Sequence, residues 1–134
     1  MTASSLPRLA VLAVLAVSTA WPAQASEPFP FGSELMLDAA PMRGSKRVPI
    51  LQIEENGAAS IDLWCASVRA QATIGGDTIS IVPETPQPAQ CTPERQSGDD
   101  NLLAALSQVT NWKRRGDVVE LIGATTLRFR LMTN

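Results

Sequence analysis

From Ala59 to Ile74, apolar and polar residues alternate almost without a break. Ile61, Leu63 and Cys65 fall on one side, with Ser60, Asp62 and Trp64 on the other. Val68, Ala70, Ala72 and Ile74 continue the period of two, opposite Arg69, Gln71 and Thr73. This period predicts strands with one buried face. Glu55-Asn56-Gly57 precedes the run as a turn, its Asn-Gly pair suited to the positive φ angles of a tight hairpin. Gly75-Gly76-Asp77 follows as another turn. With Val48–Glu54 before and Thr78–Val82 after, residues 48–82 read as an antiparallel meander. Upstream, residues 26–32 form an irregular entry segment, Glu34–Asp38 a first strand and Ala40–Lys46 a loop.

The alternation stops at Pro83–Gly98, where Pro83, Pro86, Pro88 and Pro93 disfavour helix and central strand. Asp99–Thr110 then changes period, with Leu102, Leu103, Leu106 and Val109 at helical spacing. Ser97 and Asp100 fit a capping pattern, and Asp99 and Asp100 suit the positive end of the helix dipole. Asn111–Arg115 and Val118–Ile122 flank the turn Gly116-Asp117. Thr125–Met132 closes the chain, with Leu127, Phe129 and Leu131 facing one way and Thr126, Arg128 and Arg130 the other. The expected fold class is α+β: an antiparallel meander sheet, partly closed and barrel-like, with one main helix packed against it.

The N-terminal 25 residues follow a different logic. Arg8 precedes an apolar run from Leu9 to Val17, and Ala23-Gln24-Ala25 supplies a small-residue cleavage pattern before Ser26. This arrangement predicts a cleaved secretory signal over residues 1–25, with one domain over residues 26–134 in the periplasm or outside the cell. The alternative is an uncleaved N-terminal anchor, although the apolar run is short for a membrane span. No stable transmembrane anchor is expected in the mature chain.

Charge and composition narrow the chemistry. The 134 residues carry 11 basic and 13 acidic side chains and no histidine. Removal of Arg8 with the signal leaves a net charge of −3. A mildly acidic chain is not expected to bind nucleic acid. Without histidine, one chain cannot build a Ser-His-Asp or Cys-His site. Two cysteines and scattered carboxylates are a poor zinc ligand set. No enzyme activity, cofactor or metal is therefore expected.

In an oxidising compartment, Cys65 and Cys91 are expected to form a structural disulfide. Two buried free thiols and a redox pair are the alternatives, the latter disfavoured by the wide spacing.

The order of these elements resembles the META domain family, which includes the heat-shock protein HslJ. The resemblance covers roughly Phe31–Met132. It rests on Gly57–Ala66, on Ala89-Gln90-Cys91 and on the helical stretch Asp99–Val109. Asn111-Trp112, Val119-Glu120-Leu121 and Leu127-Arg128-Phe129 complete it. Trp64 and Ala66 stand where the family pattern has glycine and asparagine. The resemblance implies a secreted or membrane-attached protein linked to stress or antibiotic tolerance, without catalytic residues. The family fold also resembles that of small lipid-binding secretion-accessory proteins, a likeness of fold alone.

Several residues are candidates for a binding surface. Trp64 is out of phase with the buried positions and is expected to face outward. Arg114, Arg128 and Arg130, with Lys113 and Arg115, form a basic group able to meet an anionic surface or an acidic partner. The alternative is a solvated sheet face, partly neutralised by Glu120. Trp112 is expected to pack where the helix ends. Glu94, Asp99 and Asp100 lack the spacing of a calcium loop, and Glu54 and Glu55 point to opposite faces of a strand. The expected partner is an envelope protein or an apolar or amphipathic ligand, taken up by a monomer. A ligand would require a cavity between Leu102–Val109 and the sheet. The alternative is an interaction or inhibitor module that uses the proline-rich, disulfide-pinned loop.

Overall fold

The computed structural model describes residues 2–3, 16–18 and 27–133. The expected signal and its cleavage site lie largely outside the described residues. The strands are β1 (Leu35–Leu37), β2 (Ile50–Ile53), β3 (Ala58–Asp62), β4 (Ser67–Ile74) and β5 (Ile79–Pro83). The helix α1 (Pro93–Ser107) follows, then β6 (Asn111–Arg115), β7 (Val118–Ile122) and β8 (Leu127–Leu131). All neighbouring strands are antiparallel, in the order β5-β4-β3-β2-β1-β8-β7-β6.

The short β1 joins the two meanders, with Leu35 opposite both Leu51 of β2 and Leu131 of β8. The outer strands β5 and β6 then approach each other. The Ile79 N–H donates to the Thr110 carbonyl and the Trp112 N–H to that of Asp77, both at 3.0 Å. A single bridge, Thr78 to Asn111, completes this seam. The sheet is thus a nearly closed barrel, and α1 spans the connection from β5 to β6 while packing on β5.

The period of two explains which face is inside. Ile61 lies opposite Leu51 and Val68, and Ala59 opposite Ile53 and Ala70. Small residues face large ones, as in Ala72 against Ile81, which suits the curvature of a small barrel. Leu35, Leu63, Leu106, Val119 and Leu121 are completely buried.

Three local expectations are corrected. The turn after β2 uses one left-handed residue rather than two: Gly57 has φ +88° and Asn56 does not enter that region. Asn56 instead accepts the Ala58 N–H on its Oδ1 at 2.9 Å. Side-chain capping therefore replaces the second positive φ. The strand expected over Ala59–Cys65 ends at Asp62, because Leu63–Ala66 reverses the chain through a Leu63 N–H to Ala66 O bond of 2.8 Å. The helix starts at Pro93, within the stretch read as a loop, and ends at Ser107. Its cap is Thr92, not Ser97, with the Thr92 hydroxyl accepting from the Arg95 N–H. Proline at the first helical position gives up an N–H that has no helical acceptor there, so Pro93 opens α1 rather than excluding it.

This earlier start turns Asp99 inward. Asp99, Leu102 and Leu106 are three and four residues apart and share the buried stripe of α1. Only 4% of Asp99 is exposed, and it is the one buried charged side chain among the described residues. Its carboxylate accepts the Ala66 N–H at 2.8 Å and the Cys65 N–H at 3.1 Å. The expectation of a dipole-stabilising role at the helix start is therefore replaced by a tie between helix and hairpin. Cys65 also forms the disulfide with Cys91, with Cα atoms 5.8 Å apart. The same turn is held covalently from just before α1 and by hydrogen bonds from its second turn.

Asp99→Ala is expected to destabilise the fold by about 3 kcal/mol, because two amides lose a charged acceptor. Asp99→Asn should cost less, since one oxygen remains. Urea denaturation at unchanged m-value reads both effects. Replacing Cys65 and Cys91 together by alanine is expected to remove about 3.5 kcal/mol on the loop-entropy model. Thiol titration of the intact protein, denatured without reductant, should find no free thiol.

Candidate functional site

Trp64 does not face outward. It sits in the Leu63–Ala66 turn, half-buried and packed against the core. A Cβ added at Gly98 would lie 3.1 Å from Trp64 Cε3 and would also collide with Met42 Cε. The indole and Met42 therefore cover the helix where it lacks a side chain. The Trp64 Nε1 is buried without a hydrogen-bond partner among the described residues. The alternation that suggested an exposed ring fails because the strand ends two residues earlier. Trp64 keeps partial exposure as a residue and so remains a partial contact surface.

The basic residues divide between the two faces of the sheet. Trp112 pairs with Leu121, and Arg114 with Val119, so both lie on the inner side of β6. Arg114 therefore starts from the sheet face opposite Arg128 and Arg130, yet it lines one cleft with Arg128, so the expected cluster is kept in part. It holds the chain entry at one end of the barrel: its Nη1 donates to the Pro28 carbonyl at 3.0 Å and its Nε to that of Gly116 at 2.9 Å. Its Nε lies 3.3 Å from the Glu27 carboxylate, which also accepts the Gly116 N–H. This strap places Phe29 edge-on against Trp112, with ring centroids 5.2 Å apart, and beside Phe31. Phe29 and Trp112 are buried. The Trp112 Nε1 donates to the Gly75 carbonyl at 3.4 Å. Trp112 is thus fixed at the barrel end by the strap and the β4–β5 turn.

Lys113, Arg115, Arg128 and Arg130 take the outer side. Cross-strand register places Lys113, Glu120 and Arg128 in one row and Arg115, Val118 and Arg130 in the next. Lys113 Nζ is 3.5 Å from Glu120, and Asp38 is shared by Arg128 at 3.5 Å and Arg130 at 3.7 Å. The expected neutralisation by Glu120 is present. Lys113, Arg114, Arg115 and Arg128 line a cleft of about 370 Å³ with Val118 and Glu120.

The remaining candidates do not converge. Glu94 and Asp100 are exposed on α1 while Asp99 points inward. Glu54 accepts from Gln52 Nε2 at 2.8 Å, and Glu55 lies exposed in the turn. Among the described residues no group of three or more metal-ligating side chains is positioned to hold a metal ion. No helix among them is long and apolar enough to cross a membrane.

The proline-rich segment is shorter than expected. Its first residue, Glu84, continues the pairing with β4 through Arg69 O at 2.8 Å, and Cys91 ends it at the disulfide. Glu84, Thr85 and Gln87 border a polar cleft of about 490 Å³ against Ser60, Asp62, Ser67 and Arg69. Neither this cleft nor the basic one is lined by Leu102, Leu106 or Val109. Those three side chains are buried in the core cluster.

Sequence reasoning missed Asp99 and the Glu27–Arg114 strap. An acid on the stripe shared with Leu102 and Leu106 is a readable sign of the first. The second joins residues 87 positions apart and has no local sign.

Comparison with protein families finds a match to the META domain over residues 32–133. No curated protein and no solved structure matches the chain significantly. The family model spans most of the chain, from the end of the strap through β8. The chain therefore belongs to the META domain family.

Proposed function

We propose that this chain is a non-catalytic binding protein of the cell envelope, of the HslJ-like kind, that supports tolerance of stress or antibiotics. The signal expected over residues 1–25 supports that location. The observation that carries the reading is the occupied barrel. Leu102 and Leu106 fill one region of the interior, and Phe29 seats on Trp112 at an end of it. Recognition then falls to the outer surface and to a partner protein or an amphipathic surface, rather than to a ligand enclosed between helix and sheet. The missing histidine and the divergent carboxylates support binding without catalysis.

The disulfide-pinned segment Thr85–Gln90 supports a second reading, a recognition loop. Its far end is covalently tied by Cys91, so little ordering entropy is lost when it binds.

Deleting the gene is expected to raise susceptibility to envelope stress and antibiotics, and the full chain to restore tolerance. A chain without residues 2–25 should fail to restore it. Equal susceptibility with and without the gene would contradict the role. Replacing Thr85–Gln90 by Gly and Ser separates the two readings: loss of tolerance with intact stability favours the loop, and retained tolerance rejects it.

A further inference from the structure

The outer face of β6–β8 concentrates positive charge on an otherwise acidic chain. Lys113, Arg115, Arg128 and Arg130 are four of the ten basic residues in the segment after residue 25. Their acidic neighbours are unevenly spread. Glu120 lies between Lys113 and Arg128 in the first row, and Asp38 meets Arg128 and Arg130. Arg115 has no ion pair among the described residues. In its row the neighbours are apolar: Val118, then Met36 beyond Arg130. Met132, two residues past Arg130 on the same side, is 43% exposed but borders a separate polar pocket with Glu34.

We infer that the cleft formed by Lys113, Arg115, Val118 and Arg128 binds the phosphate of an anionic lipid headgroup at a membrane surface. A phosphate offers oxygens to donors on both walls, Lys113 and Arg115 from β6 and Arg128 from β8. Glu120 between these walls keeps Lys113 in place; with Asp38 meeting Arg128 from outside the lining, three cations face two carboxylates and the cleft stays positive at Arg115. Arg114 adds to this field, but its guanidinium is engaged by the strap. Val118 within the cleft and Met36 beyond Arg130 favour a lipid over a soluble acidic peptide, because long basic side chains beside apolar ones suit the headgroup boundary. This proposal rests on the envelope location argued above. It is tested with purified protein, so its failure is distinct from failure of the tolerance role.

The probe is co-sedimentation with phosphatidylcholine vesicles, with and without phosphatidylglycerol. Binding is expected only with the anionic lipid and is expected to weaken at high salt. Inorganic phosphate should compete. The combined variant Lys113→Gln, Arg115→Gln and Arg128→Gln should bind about 100-fold more weakly, as each cation at such a surface contributes about fivefold. Arg43→Gln with Lys46→Gln, on the loop before β2, should leave binding unchanged. Urea denaturation verifies that both variants fold. Equal binding to neutral vesicles, or unaltered binding by the folded triple variant, would overturn the proposal. Binding of inorganic phosphate without any vesicle binding would move the source to free phosphate and overturn the lipid assignment. Capture of polyglutamate but not of anionic vesicles would overturn it in favour of an acidic protein.

Discussion

The carboxylate of Asp99 organises this protein. It reaches from the second turn of α1 into the reversal between β3 and β4 and accepts the amides of Cys65 and Ala66. Buried charge is costly unless it is hydrogen-bonded, and here backbone donors satisfy it. Those amides would otherwise be turn donors without a strand partner. The disulfide from Cys65 to Cys91 fixes the start of the helix to the same point. Helix position, hairpin geometry and the short Thr85–Gln90 segment are therefore set together. Trp64 is drawn inward as a consequence, because its turn is pulled against α1 over Gly98.

A second tie closes the other side of the structure. Arg114 faces inward on β6 and engages Glu27, Pro28 and Gly116 at once. Phe29 is thereby held on Trp112. Helix and strap bury Leu102, Leu106, Phe29 and Trp112 in one core cluster. The outer rows of β6–β8 and the disulfide-pinned segment are the two surfaces with distinct chemistry. The first is cationic beside apolar side chains, and the second is polar and covalently tethered.

Much of the fold was legible in one sequence. Gly116-Asp117 between two strand patterns located β6 and β7 to the residue, and the period of two marked the inward residues of β3 and β4. Helix existence followed from Leu102 and Leu106. The helix start was not legible, because Pro93 was weighed as a breaker together with Pro83, Pro86 and Pro88. Only the cap at Thr92 shows that it stands at a helix opening. That shift of six residues is what moved Asp99 from the solvent edge to the core. Arg114 was only partly placed for another reason: strand parity sets it on the face opposite Arg128 and Arg130 although it shares a cleft with Arg128, and Glu27, which engages it, lies far away in sequence. Side-chain roles set by non-local closure are the part that periodicity does not carry.

The account stands or falls on the Asp99 tie, and native-state hydrogen exchange at the Cys65 and Ala66 amides measures it directly. Both sit in a half-exposed turn, where unheld amides exchange by local opening. If Asp99 holds them, they exchange only through opening nearly as costly as global unfolding, alongside the β3 and β4 core amides, and Asp99→Ala releases them. Exchange at the rate of the exposed Thr85–Gln90 segment in the unaltered protein would contradict the account.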